Sequence, residues 1–150
     1  MEAMAVDHNV NVVAMEKGGR RYAMVCAWAA NVAADKMVCA IGPQSATGRA
    51  IEAGDEVGFT NLAAGQMGIA FQVGNMEVHS DAADKLEGVE VRQEGGAIVV
   101  EGGRVQVVGR VVEVLHLPGC EEENVVYIDI VDAHAADVPA LHISDLPKMR

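Results

Sequence analysis

The sequence predicts an all-β fold, a small antiparallel barrel with short helices inserted between its strands, and three observations favour this class. The 150 residues include 24 valines, which prefer strands. Glycine pairs at Gly18-Gly19 and Gly102-Gly103 separate apolar segments, as in tight hairpin turns. A long valine-rich segment, residues 104–116, is typical of a barrel strand that is covered on both faces. This length corresponds to one domain, so we expect a single domain over residues 1–150.

The charge of the chain is strongly negative. Asp and Glu number 22 against 11 Lys and Arg, which gives a formal net charge of −11. Nucleic acids and anionic membrane surfaces are bound by faces rich in Lys and Arg, so we expect neither as a partner. Aromatic residues make up 3% of the chain, too few for a protein that stacks single-stranded bases. No segment reaches the roughly 18 apolar residues that a membrane-spanning helix needs.

The cysteines and histidines do not form a recognisable motif. Cys26, Cys39 and Cys120 are an odd set without CxxC spacing, so a disulfide framework is not expected and a cytoplasmic location is favoured. The N-terminus lacks the apolar region of a signal peptide. The five histidines lack the spacings of metal sites, so we predict no metal centre.

Turn residues divide the chain into short elements. The predicted strands are residues 10–16, 20–28, 36–41, 56–61, 89–92, 97–101, 104–116 and 124–131. The predicted helices are residues 45–53, 62–73 and 80–86. Gly109 lies inside the longest strand and is a candidate for a β-bulge or a barrel corner. Gly102-Gly103 is predicted to join two of these strands as a hairpin.

One candidate site lies where a strand ends and a helix begins, between Ile41 and Ala50. The hydroxyls of Ser45 and Thr47 can donate hydrogen bonds to phosphate oxygens, and Arg49 adds a positive charge in the same turn. The same residues also fit a simpler interpretation. Ser45 or Thr47 would then cap the helix, and Arg49 would be solvated.

A second candidate segment runs from Tyr22 to Val32 and contains Trp28, the only tryptophan of the chain. The small residues around Trp28 would let a flat ligand approach the backbone. The alternative is a core strand with one large anchoring side chain. Local sequence alone favours the core strand.

Together the two segments resemble the flavin reductase-like, FMN-binding split-barrel family. The resemblance extends from about Val12 to Val91 and keeps the order and spacing of a set of residues. These are Ala23-Met24, Trp28, Val32 and Asp35, then Ser45 and Thr47, then Ile51, Gly54, Val57-Gly58-Phe59 and Asn61, and finally Asp84-Lys85-Leu86 with Gly88-Val89.

The resemblance implies an antiparallel split β-barrel of the Greek-key type, with FMN bound at a homodimer interface. It also implies hydride transfer from NADH or NADPH to the flavin. The alternative is a non-enzymatic FMN-binding electron carrier or binding module. The cofactor-binding residues that it implies are Met24, Val25, Cys26, Ala27, Trp28, Asn31, Ser45, Thr47, Arg49 and Asn61.

The chain departs from the family pattern in the strand expected to contact the flavin ring. Val25 and Ala27 stand where the family often has hydroxyl side chains. We therefore expect contacts to the ring mainly from backbone N–H groups and from Asn31. Trp28 would either stack on the ring or plug the barrel.

Overall fold

The computed structural model describes residues 7–74 and 84–146, and within these ranges nine strands form one antiparallel sheet that does not close. The strands are β1 (Asn11–Lys17), β2 (Arg20–Cys26), β3 (Ala29–Ala33), β4 (Lys36–Ile41), β5 (Glu56–Asn61), β6 (Val91–Glu94), β7 (Ala97–Val100), β8 (Val105–Leu117) and β9 (Cys120–Ala135). The helices are α1 (Ala46–Ala50) and α2 (Met67–Gly74), with 3-10 turns at Ala64–Gln66 and Ile143–Asp145. The predicted class, all-β with short helices, is confirmed.

The sheet order is β3-β4-β9-β8-β5-β1-β7-β6, and β2 pairs with the other edge of β1. Some neighbouring strands are distant in sequence, such as β4 with β9 and β5 with β8. Others, such as β3 with β4 and β8 with β9, are consecutive and form hairpins. The long connections bring the ends of several strands together at one end of the barrel. That end contains the cleft described below.

Strand β1 has both faces buried. Residues 11–15 are all buried, whereas an antiparallel strand often exposes every second side chain. Val13 and Met15 pack into the barrel interior with residues of β4, β5 and β9. Val12 and Ala14 point the other way, into a second cluster. The period of two in a strand therefore divides β1 between two cores.

The second core lies on the outer side of β1 and is built from irregular segments as well as strands. Leu62, Ala70 and Val73 contribute from the segment that follows β5 and from α2. Leu141 closes this core, and its N–H donates to the Leu62 carbonyl at 2.9 Å. The C-terminal segment is thereby fixed against the start of β1, because Val10 N–H donates to Leu141 O, also at 2.9 Å.

Strands β4 and β5 have the predicted bounds, and α1 begins after Ser45 as predicted. The helix is shorter than predicted, because Ile51 has an extended backbone (ψ 133°) and ends it. The predicted strand 20–28 stops at Cys26, since the chain bends there and starts a new strand. That strand, β3, was not predicted, because Ala29–Ala33 carries no apolar alternation and is mostly exposed.

Three further predictions, one on a turn and two on helices, need correction. Gly102-Gly103 does form a turn, but β7 and β8 on its two sides are not paired, so it is not a hairpin. The hairpin of this region is at Gly95-Gly96, between β6 and β7. The helix predicted at 62–73 begins only at Met67, after the 3-10 turn. Of the helix predicted at 80–86, residues 80–83 lie outside the described residues, and residues 85–88 form turns.

Gly109 lies at an irregularity of the barrel, as predicted. The pairing of β8 with β9 shifts register between Val108 and Gly109, so that β9 carries an extra residue, Val131. A Cβ on Gly109 would come within 2.5 Å of Ile128 Cγ2, so the strands could not approach as closely. The β8–β9 hairpin extends beyond the barrel to Leu117 and Cys120, and its tip is exposed.

None of the helices within residues 7–74 and 84–146 has the length and apolar character needed to cross a membrane.

Strands β5 and β7 approach each other closely at Gly58, and this predicts a strong effect of Gly58→Ala. A Cβ at Gly58 would clash with the backbone of Ile98 in β7, which a small side-chain movement cannot relieve. We expect Gly58→Ala to lower the free energy of unfolding by about 1–3 kcal/mol or more, measured by urea denaturation. Gly68→Ala is the matched control, because Gly68 lies in α2 with open space around it, and alanine favours a helix. Equal stability of the two variants would contradict this packing.

Candidate functional site

A cleft of about 410 Å³ opens at one end of the barrel. This volume lies in the range of small-molecule binding sites. Its walls come from the segment before β1 and the start of β1, the β2–β3 connection, and residues of β3, β4, β5, β8 and β9. The lining residues are Asp7, His8, Asn9, Asn11, Ala27, Ala29, Ala30, Asn31, Met37, Phe59, Asn61, Arg104, Val105, Val107 and Ile130.

The apolar walls of the cleft carry short side chains on one side. Ala27, Ala29 and Ala30 present only methyl groups on one side, and Phe59 and Ile130 line the barrel interior. Because the alanine side chains are short, a flat ligand can approach the backbone at the β2–β3 connection. The cleft therefore combines an apolar slot with a small number of polar groups, which is the usual composition of a cofactor site.

Two buried asparagines form the polar base of the cleft. Asn11 and Asn61 are directly opposite each other in the pairing of β1 with β5, and each is 4% exposed. The Asn61 Nδ2 donates to Asn11 Oδ1 at 2.9 Å, and Asn11 Nδ2 donates to the Cys26 carbonyl at 2.9 Å. These bonds give both buried amides hydrogen-bond partners and tie the end of β2 to the end of β5.

Arg104 brings a positive charge to this base. Its Nη1 donates to Asn61 Oδ1 at 3.3 Å. Its backbone N–H donates to the Asn61 carbonyl at 2.8 Å, and its carbonyl accepts from Ala136 N–H at 2.7 Å. Gly103 is required next to it, because a Cβ there would clash with Thr60 Cγ2. The glycine pair therefore places the arginine against the end of β5.

A second, shallower groove of about 300 Å³ lies beside the start of β2. It is lined by Arg20, Tyr22, Ala46, Arg49 and Ala50. The Arg20 guanidinium carbon is 4.6 Å from the centre of the Tyr22 ring, a cation–π contact. Arg49 Nη1 donates to the Gln44 carbonyl at 2.7 Å. Two arginines thus place positive charge at this groove, in contrast to the net charge of the chain.

The structure places three of the residues implied by the resemblance in the cleft and one in the groove. Ala27, Asn31 and Asn61 line the cleft, and Arg49 lines the groove. Ser45 is buried, and its Oγ accepts from Gly48 N–H at 2.8 Å and lies 3.1 Å from the Gly42 carbonyl. Ser45 therefore caps α1, as the simpler interpretation predicted.

The other predicted residues line neither cavity. Met24 packs against the barrel core, with its sulfur 3.6 Å from Ser45 Oγ. Val25 packs against the second core, and Thr47 is 2% exposed. Trp28 is 53% exposed, so of its two predicted roles the structure contradicts the one in which it plugs the barrel. Its carbonyl instead accepts from Ala40 N–H at 2.9 Å and helps to form the bend before β3.

Cys26 and Cys39 lie together in the barrel core, as small buried residues. The Cys26 Sγ is 3.4 Å from the Ala40 carbonyl, to which the thiol donates. The hydrogen bond with Cys26 and the burial of the site raise the pKa of Cys39, so this thiol stays protonated at neutral pH. Within the described parts of the chain, no group of three His, Cys, Asp or Glu side chains is arranged to hold a metal ion.

Sequence reasoning missed Asn11, Arg104, Arg20 and Tyr22 as lining residues. A signal existed for two of them. An asparagine at the start of an otherwise apolar strand indicates a specific hydrogen-bonding role, and an arginine directly after two glycines indicates a tightly positioned charge. Arg20 and Tyr22 gave no signal, because they join Arg49 only through the folding of α1 over β2.

The sequence matches the family described as "Flavin reductase like domain" over residues 3–144, so the chain belongs to that family. Comparison with curated proteins finds no significant match.

Solved structures share the fold at low sequence identity. The NADH:FAD oxidoreductase SgcE6 of Streptomyces globisporus is 14% identical, with a TM-score of 0.77 over 91% of this chain and 81% of that chain. Flavoredoxin from Methanosarcina acetivorans is 16% identical, with a TM-score of 0.71 over 91% and 77%. The styrene monooxygenase flavin reductase of Pseudomonas putida S12 is 10% identical, with a TM-score of 0.70 over 91% and 86%. These similarities confirm the predicted split-barrel fold.

Proposed function

We propose that this protein binds FMN in the cleft and catalyses its reduction by NADH or NADPH. The observation that carries the proposal is the composition of the cleft. An apolar slot with alanines on one side ends on the hydrogen-bonded set Asn11, Asn61 and Arg104. Membership of the flavin reductase family supports the flavin as ligand. The similar Streptomyces protein is named an NADH:FAD oxidoreductase, and its structure has also been solved with NAD and FAD fragments.

The residues of the cleft fit a flavin ring. The isoalloxazine is flat and apolar on its faces and carries carbonyl and ring-nitrogen acceptors along one edge. The short side chains of Ala27 and Ala29 leave room for a face of the ring, and Asn31 and Arg104 supply donors for the polar edge. When bound, the flavin supplies the redox chemistry by accepting a hydride. The protein orients the ring, excludes water from the apolar faces and balances charge.

The groove lined by Arg20 and Arg49 fits the phosphate of the cofactor. The groove lies at the start of β2 and the cleft at its end, so β2 connects the two. The five steps along the chain from Tyr22 to Ala27 span about 16 Å at roughly 3.3 Å per residue. A ligand with a ring at one end and a phosphate at the other matches that arrangement. Ser45 and Thr47 then act mainly by building α1, which carries Arg49 to the groove.

The surface next to the cleft supports a homodimer. Strand β3 is at the edge of the sheet, and Ala29–Ala33 contains no charged residue. Trp28 and Val32 are 53% and 58% exposed beside it. An uncharged, exposed edge of this kind is covered in most proteins. We expect sedimentation equilibrium at micromolar concentration to give twice the mass of the chain, and a monomer with FMN bound would contradict this assembly.

The free cysteines Cys26, Cys39 and Cys120 favour the cytoplasm.

The function is tested with the purified protein and added FMN. We expect a complex with a flavin absorption band that bleaches when NADH or NADPH is added without oxygen. A complex that binds FMN but does not bleach with either donor would favour the alternative, an electron carrier. Tighter binding of FAD than of FMN would correct the choice of cofactor. A protein that takes up neither flavin would refute the proposal.

The groove predicts that the cofactor phosphate contributes strongly to affinity. A hydrogen bond to a charged group contributes about 1.5–3 kcal/mol, or roughly a 10- to 150-fold change in Kd. We therefore expect Arg49→Gln to weaken FMN binding by that factor and to leave riboflavin binding nearly unchanged. Flavin fluorescence titration measures both.

Two control variants separate the groove from general effects. Arg110→Gln removes the same charge from an exposed position on β8, outside both cavities, and should leave FMN binding unchanged. Ser45→Ala removes the cap of α1 and should cost about 1 kcal/mol of stability. Equal affinity of the wild-type protein for riboflavin and FMN would place the phosphate elsewhere.

A further inference from the structure

Arg104 is the only Lys or Arg among the described residues that line the cleft. It is partly buried, and no carboxylate of the described residues lies within ion-pair distance of it. Its single side-chain hydrogen bond goes to the neutral amide oxygen of Asn61 at 3.3 Å. A guanidinium carries several N–H donors, so most of its capacity is unused by the protein.

The surrounding groups do not neutralise this charge. Among the residues that the structure describes, Asp7 is the only carboxylate that lines the cleft. Its Oδ2 accepts from Ser144 Oγ at 2.9 Å and lies 3.6 Å from His142 Nδ1. The amides of Asn11 and Asn61 are dipoles without net charge. A positive charge in a partly apolar cavity is stabilised when the ligand supplies a negative one. The cleft is therefore built for a ligand that is anionic in at least one of its states.

The backbone of Arg104 is held in place before any ligand binds, and Asn61 orients its guanidinium. Its backbone is held by the Asn61 carbonyl and by Ala136 N–H, and Gly103 lets the chain pass close to Thr60. Asn61 is itself held by Asn11, which donates to the carbonyl of Cys26. Preorganised charges of this kind stabilise developing charge most effectively, because they need no rearrangement during the reaction.

We propose that Arg104 makes the site bind the reduced, anionic form of the flavin more tightly than the oxidised, neutral form, and that Asn61 acts as its positioning residue. This inference rests on the proposed function. A hydride transfers two electrons and one proton from the nicotinamide to N5 of the flavin, leaving an oxidised nicotinamide. The ring then carries one negative charge near N1 and O2, unless a second proton is added. Arg104 balances that charge without giving up a proton, since a guanidinium stays protonated in proteins.

The proposal is tested by two measurements on Arg104→Gln. The first is the Kd of oxidised FMN, from fluorescence titration. The second is the midpoint potential of bound FMN, from equilibration with a reference dye. We expect the variant to lose at least tenfold more affinity for reduced than for oxidised FMN. The potential should then fall by about 30 mV for each factor of ten, because two electrons are transferred.

Three further variants make this result specific. Arg104→Lys keeps the charge and should keep most of the potential. Arg110→Gln makes the same change in net charge at an exposed site on β8 and should leave the potential unchanged. Asn61→Leu removes the acceptor that orients Arg104 and should lower the potential in the wild-type background. In the Arg104→Gln background Asn61→Leu should not lower the potential further. A purely structural role of Asn61 would lower the potential in both backgrounds.

Each other outcome overturns the inference in a recognisable way. Equal losses of affinity for both redox forms, with an unchanged potential, would mean that Arg104 only helps to hold the ring. A wild-type protein that does not bind FMN would refute the proposed function itself, and with it this inference. Thermal unfolding without flavin checks that the variants fold. If Arg104→Gln does not fold, Arg104→Met is measured in its place against the same expectation.

Discussion

The burial of β1 on both faces is the constraint on which the rest of the structure depends. Residues 12–15 contribute alternately to two separate cores, so the strand has no face that tolerates polar side chains except at its ends. Because successive side chains alternate, a slip of one residue would exchange the two cores and place Met15 where Ala14 belongs. The register with β2 and β5 is therefore fixed by packing on both sides, and this gives the barrel one rigid reference strand.

The candidate site follows from that register. Asn11 is the first residue of β1, and it is opposite Asn61, the last residue of β5, only when Val12 and Val13 occupy their own cores. The amide pair then receives Arg104 from the turn that precedes β8. The polar base of the cleft is thus located where the packing of β1 ends. A polar group at this position disturbs neither core, which explains how a buried hydrogen-bonded set coexists with a tightly packed barrel.

The fold was largely predictable because its signals are local. The bounds of β4 and β5 follow from apolar residues between turns, and the start of α1 follows from a serine cap. Strand β3 was not predictable, since Ala29–Ala33 is an exposed edge held only by its pairing with β4. The role of Gly102-Gly103 was misjudged for a related reason. A glycine pair reveals that the chain turns, but which strands then pair is decided by β1 and β5, far away in sequence.

The candidate site was less predictable, because it depends on contacts between distant segments. Ser45 and Arg49 are close in sequence, yet the first is committed to capping α1 and the second lines a groove with Arg20 from another element. The placement of Arg49 beside Arg20 matters because the chain has a net charge of −11. An anionic ligand is repelled by the protein as a whole at long range, but the Debye length at physiological salt is about 8 Å. Within that distance the nearest charged groups dominate the potential, so arginines placed in the two cavities attract an anionic ligand locally although the chain as a whole is acidic.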